Sequence, residues 1–123
     1  MGNHQYAIRD FEEAIRIEPS YALSHFHMGV SKLKSRLVRE AIEDFKESLM
    51  LEENPAVYDG LGCCYHALEE FDEAIEHFEK AIAAKPHNIE FLRNRAQCYF
   101  DMKDYPSAIA DLEEAAKNNS NDP

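Results

Sequence analysis

Small and large apolar residues recur along this chain at two periods at once. Ala7, Ala41, Ala74 and Ala108 open the related strings AIRDFEEAI, AIEDFKESL, AIEHFEKAI and AIADLEEAA, separated by 34, 33 and 34 residues. Within each string a large apolar residue follows four places on (Phe11, Phe45, Phe78, Leu112), and a small one three places later (Ala14, Ser48, Ala81, Ala115). Offsets of three and four put these groups on one face of an α-helix. A second pattern precedes three of the strings: HFHMGVSK from His25, YDGLGCCY from Tyr58 and LRNRAQCY from Leu92. Each repeat is therefore expected to hold two helices. Gly29, Gly62 and Ala96 fall in one column, where a minimal side chain lets two helix axes approach to about 8 Å. Pro19 and Pro86 follow strings of the second type and stop them, and Asn54 with Pro55 reads as an N-cap and first helical residue.

Four registered copies of this pattern resemble the tetratricopeptide-repeat family, which has an aromatic, Leu-Gly and Tyr in its first helix and Ala, Phe and Pro in its second. The copy reading Tyr58, Leu61-Gly62, Tyr65, Ala74, Phe78, Ala81 and Pro86 matches nearly throughout; the neighbouring copies depart at Lys32, Arg95 and Leu112. The resemblance implies an all-α fold, a right-handed superhelical α-solenoid of helix-turn-helix repeats with about seven helices. The expected layout of this single domain is a half repeat over 3–21, repeats over 22–54, 55–88 and 89–117, and a polar tail over 118–123. Repeats bury their faces only against neighbours, so the terminal helices are expected to carry uncovered apolar flanks.

The resemblance also implies that the first helices of successive hairpins line a concave groove that takes a peptide or helix of a partner protein. Carried onto this sequence, the groove receives Leu23, Phe26, His27 and Val30, then Asp59, Gly60, Cys63 and His66, then Arg93, Asn94, Gln97 and Phe100. The groove is expected to be apolar at its first end and polar at its last, with Asn94 and Gln97 holding an extended backbone through amides that both donate and accept. One family branch clamps the C-terminal carboxylate of heat-shock chaperones with cations and amides. The columns concerned hold Phe26, Val30, Gly60, Glu90 and Asn94, with Arg93 the one nearby cation, so no chaperone-tail clamp is expected. The alternative to a binding module is a structural role, in which the uncovered terminal helices mediate self-association or stack within a longer array.

Composition narrows the choice further. With 13 basic and 24 acidic side chains the formal charge is -11, which repels phosphate backbones and anionic lipid and makes nucleic acid and membrane poor partners. No run approaches the ~20 apolar residues of a membrane span, and the N-terminus lacks the features of a signal peptide. Cys63, Cys64 and Cys98 have neither disulfide nor zinc spacing, which points to free thiols in a reducing compartment, cytoplasm or nucleus.

The best reactive set is Cys63 with His66 one turn away and His27 on the preceding hairpin, three groups able in principle to activate a thiolate or ligate zinc. An open groove excludes little water, and an i, i+3 pair arises easily by chance. The reading is accordingly of no enzyme, no catalytic residue, no cofactor and no metal. Charge is also unevenly spread. Lys32, Lys34, Arg36 and Arg39 crowd one inter-helix turn, while Glu69, Glu70, Asp72 and Glu73 crowd the next, and stacking is expected to let them support each other. Arg95 stands where the pattern wants Leu, and Asp111 lies on the paired helix, so an ion pair is expected between them.

Overall fold

The structure is a computed structural model that describes residues 22–120, and the expected half repeat over 3–21 lies outside the described residues. Six helices fill the described chain: α1 (Ala22–Lys34), α2 (Val38–Leu51), α3 (Pro55–Ala67), α4 (Phe71–Ala84), α5 (Ile89–Asp101) and α6 (Tyr105–Ser120). They pair as α1/α2, α3/α4 and α5/α6, which makes the fold the expected all-α solenoid of hairpins.

Local chemistry sets the helix boundaries. The Asn54 carboxamide accepts from the Ala56 amide at 2.9 Å, with Pro55 opening α3, and Asn88 caps α5 by accepting from Phe91 N at 2.9 Å. These bonds satisfy amides that the first helical turn leaves without partners. The turns inside the hairpins are three copies of one device. Arg36, Glu69 and Lys103 adopt φ of 66°, 62° and 67°. In each turn the next amide reaches back to a carbonyl five residues earlier: Leu37 to Lys32 at 2.8 Å, Glu70 to Tyr65 and Asp104 to Tyr99 at 2.9 Å. This is the Schellman closure, here made without glycine. The last helix runs to Ser120, past the point where a polar tail is expected, and the Asn118 amide donates to the His87 carbonyl at 3.2 Å.

Packing follows the repeat columns. Ala41, Ala74 and Ala108 are all buried, and Phe45 and Phe78 are sealed at 0% and 1% exposure. The Phe45 ring sits against Gly29 of its own hairpin and Gly60 of the next, where an added Cβ would stand 2.8 and 2.7 Å from it; a Cβ on Gly62 would stand 2.5 Å from Phe78. Gly60, expected on the groove face, is thus a packing residue between hairpins.

Two departures from the apolar pattern are answered by carboxylates in one column. Lys32 Nζ lies 2.8 Å from Asp44, which also accepts from His25 Nδ1 at 3.4 Å. Arg95 makes the expected pair with Asp111, donating through two nitrogens at 2.8 and 2.7 Å. Those hydrogen bonds hold the Arg95 guanidinium above its ordinary pKa despite its burial.

Curvature is legible in which helices touch. First helices contact the next first helix, α1 with α3 and α3 with α5, whereas α2 and α4 make no such contact, nor do α4 and α6. A stack drawn together on one side and splayed on the other is concave on the close side, so α1, α3 and α5 form the inner wall.

Candidate interaction surface

The inner wall carries most of the residues assigned to the groove. At its first end Leu23 is 54% exposed. Phe26 and Val30 are half-buried against the core of the first described hairpin, the Phe26 ring lying 6.0 Å from Phe45 and 5.4 Å from His27. This end is apolar and partly open, as its residues suggest.

The polar end is organised differently from expectation. Asn94 does not present a bare amide: its Nδ2 donates to both Asp59 oxygens, at 3.0 and 3.2 Å. Gln97 Nε2 donates to Asp101 Oδ1 at 3.1 Å, and the other Asp101 oxygen accepts from His66 Nε2 at 2.6 Å. Asp59, Asn94, His66, Asp101 and Gln97 therefore form a polar seam joining α3 to α5. Burial raises the Asp59 carboxyl to about 6; the Asn94 hydrogen bond opposes that shift and the Glu90 charge adds to it.

Of the thiols, Cys63 lies beside this seam, while Cys64 packs in the core around Phe45 and Cys98 in that around Phe78. Cys63 is half-buried, and burial first, then the Asp59 charge, pushes its pKa far above the usual thiol range. Cys64 and Cys98 are buried and raised to about 12 and about 11, mainly by burial. A thiol shifted upward is protonated at neutral pH and a weak nucleophile or ligand. His66 is engaged by Asp101, and among the described residues no group of three His, Cys, Asp or Glu side chains stands where it could hold a metal ion.

Arg93 lines two hollows, one with Ile89, Leu112, Ala115 and Ala116 and one with Ile89, Glu90 and Asn94. Phe100 is 56% exposed, its ring 5.4 Å from that of Tyr105. The charged turns also depart from expectation. Among the described residues the ion pairs are Lys32–Asp44, His25–Asp44, His66–Asp101 and Arg95–Asp111, so none bridges the basic turn at Lys34, Arg36 and Arg39 to the acidic turn at Glu69–Glu73. Long side chains on exposed turns gain too little from pairing in water to be held together.

With this geometry in view, a family model described as Tetratricopeptide repeat matches residues 65–123. Over those residues, which include the copy that matches the repeat pattern best from Tyr65 onward, the chain is similar to the tetratricopeptide-repeat family. MamA from Desulfovibrio magneticus superposes with a TM-score of 0.90 at 18% identity, covering 98% of this chain and 69% of that one. Another MamA crystal structure gives 0.87 at 21% identity, covering 98% and 71%. At such identities the likeness is one of fold. Among curated proteins, DnaJ homolog subfamily C member 3 of Bos taurus is 23% identical over 139 residues, 99% of this chain and 28% of that protein. The mitochondrial import receptor subunit TOM70 of Saccharomyces cerevisiae is 27% identical over 92 residues, 75% of this chain and 15% of that protein. The chain thus spans under a third of the length of these curated relatives. Tetratricopeptide repeats are in general protein-interaction scaffolds. No helix among the described residues is long and apolar enough to cross a membrane.

Proposed function

We propose that this repeat array is a protein-binding module whose concave wall, formed by α1, α3 and α5, takes an extended peptide or short helix of a partner protein. The observation that carries the reading is the contrast along that wall. Leu23 stands 54% exposed beside half-buried Phe26 and Val30, a place for one apolar anchor. The other end offers the exposed Asp101 carboxylate, oriented by Gln97 and His66. A held carboxylate accepts hydrogen bonds from peptide N–H groups, so Gln97 serves by positioning an acceptor rather than by meeting the ligand alone. Affinity in such a surface comes from a few anchors. The function requires no catalytic group, cofactor or metal, and the peptide it suits is not a chaperone tail carboxylate, which the carboxylate-rich seam repels.

Selection from a random peptide library displayed on phage tests this reading. The enriched peptides are expected to share one apolar side chain, and Leu23→Asp is expected to weaken their binding about tenfold or more. Leu23 is exposed enough for that change to spare the fold, which circular dichroism checks. Peptides that bind wild type and Leu23→Asp equally well, and Asp101→Ala equally well too, would place the binding surface elsewhere.

A further inference from the structure

The first two hairpin turns share one backbone and carry opposite charge. Arg36 and Glu69 take the same left-handed place, φ 66° and 62°, and Arg39 and Asp72 each follow three residues later. Each of these cations is therefore matched by an anion at the equivalent position one repeat on. Lys34 adds to the first turn, Glu70 and Glu73 to the second, and all seven side chains are exposed. Among the described residues none of the seven belongs to an ion pair. The repeat explains why: equivalent side chains of neighbouring hairpins leave the edge in the same direction, so the two groups stand side by side rather than face to face.

A two-fold axis brings them face to face. If it lies in the contact plane and passes between the two turns, each turn of one copy meets the other turn of the second copy, equivalent position against equivalent position, as an isologous interface requires. Arg36 then opposes Glu69 and Arg39 opposes Asp72, and symmetry makes each contact twice. Leu37, 40% exposed within the basic turn, and the hollow that holds Phe71 and Met102 beside the acidic turn give the contact an apolar part. One like pair results, Glu40 against Glu73. An unrelated protein would need both signs at the spacing of this repeat, which the chain already carries. We infer that this turn edge, distinct from the concave wall, is a self-association surface on which two copies pair about a two-fold axis, the basic turn of each against the acidic turn of the other. Exposed pairs are individually weak, so the dimer forms at high concentration. The formal charge of -11 on each copy acts from farther away than the facing pairs, and a Debye length of about 8 Å at physiological salt screens it more than it screens them.

Sedimentation equilibrium of the full chain at physiological salt, up to millimolar concentration, is expected to show a monomer–dimer equilibrium. The dimer is expected to weaken about tenfold or more near 1 M salt, where the screening length falls to about 3 Å. Arg36→Glu/Arg39→Glu and Glu69→Arg/Asp72→Arg are each expected to be monomeric, and an equimolar mixture of the two is expected to dimerise. Each variant places in a turn the residue types that its sister turn already holds, so the backbone accommodates them, as circular dichroism checks. The two variants change net charge by equal amounts in opposite directions, so general repulsion cannot account for loss in the less acidic one, and the mixture carries the wild-type total. Glu40→Lys, which removes the like pair, is expected to strengthen the dimer. A wild-type chain that stays monomeric throughout would overturn the inference. So would a dimer that survives in either variant, because a two-fold contact needs both turns, or a mixture that fails to associate.

Discussion

The column that holds Phe45, Phe78 and Leu112 reads as one structural position, yet its first two members are 0% and 1% exposed and the third is 49% exposed. The difference lies outside the residues. Phe45 and Phe78 are closed over by the next hairpin, and Leu112 has no described helix beyond it. In a repeat array burial is a property of the neighbour as much as of the side chain, so equal sequence signals carry unequal energy. The sealed region is held by apolar packing around glycines, while the open region relies on a two-nitrogen ion pair between Arg95 and Asp111.

The sharpest way to break that contrast is to empty both positions. Phe78→Ala removes a sealed ring and is expected to cost about 3–5 kcal/mol, against roughly 1 kcal/mol for Leu112→Ala, whose side chain is already half in water. Gly62→Ala attacks the sealed region from the other side. A methyl placed 2.5 Å from a ring that has nowhere to go is expected to cost about 1–3 kcal/mol. Urea unfolding measures all of these changes. A Leu112→Ala loss equal to that of Phe78→Ala would mean that the open edge is covered in solution.

The polar clasp of the open hairpin gives the next largest effect. Asp111→Ala strands a partly buried guanidinium and is expected to cost about 2–3 kcal/mol. Adding Arg95→Leu to that variant is expected to recover most of the loss, because Leu61, in the same column of the sealed hairpin, is buried among apolar groups. Thermal melts of wild type, single and double variants provide the check; a double variant no better than Asp111→Ala would show that the clasp does more than replace an apolar contact.

Much of this architecture was legible in the residues, because helix periods and a repeat of 33 or 34 are visible without coordinates. Even the Arg95–Asp111 pair could be placed, since both depart from the pattern on helices known to be partners. The seam across α3 and α5 was not. Its contacts, Asp59 to Asn94 and His66 to Asp101, are offset by 35 residues, one beyond the repeat length. Column comparison aligns equivalent positions and is blind to the stagger with which neighbouring helices cross. Hence the sequence alone shows Asn94 and Gln97 as uncommitted amides, while the structure gives each a carboxylate partner. The helical run to Ser120 was hidden for another reason: Asn118 is fixed by a carbonyl of a distant loop rather than by local apolar spacing.

Asp59 and Arg93 extend the comparison to charge, for they share a column on α3 and α5. Asp59 lies beneath the covering helix, where burial raises its carboxyl to about 6, whereas Arg93 stands exposed at the edge. A carboxyl raised above its unfolded value near 3.8 binds more protons folded than unfolded between about pH 4 and 6. Its contribution to stability is therefore favourable in acid and is lost as pH rises through that window. At pH 7 the ionised, desolvated group costs on the order of 2 kcal/mol. Asp59→Asn keeps an acceptor for the Asn94 amide while removing the charge, so it is expected to stabilise the chain by about 1 kcal/mol at pH 7.5 and to do nothing at pH 4. The observable is the difference between variant and wild-type unfolding free energies across pH 4 to 7.5, which cancels the titration of the other carboxylates. A difference that stayed flat would place Asp59 in contact with water and the α3/α5 seam open, making the sealed and open regions alike.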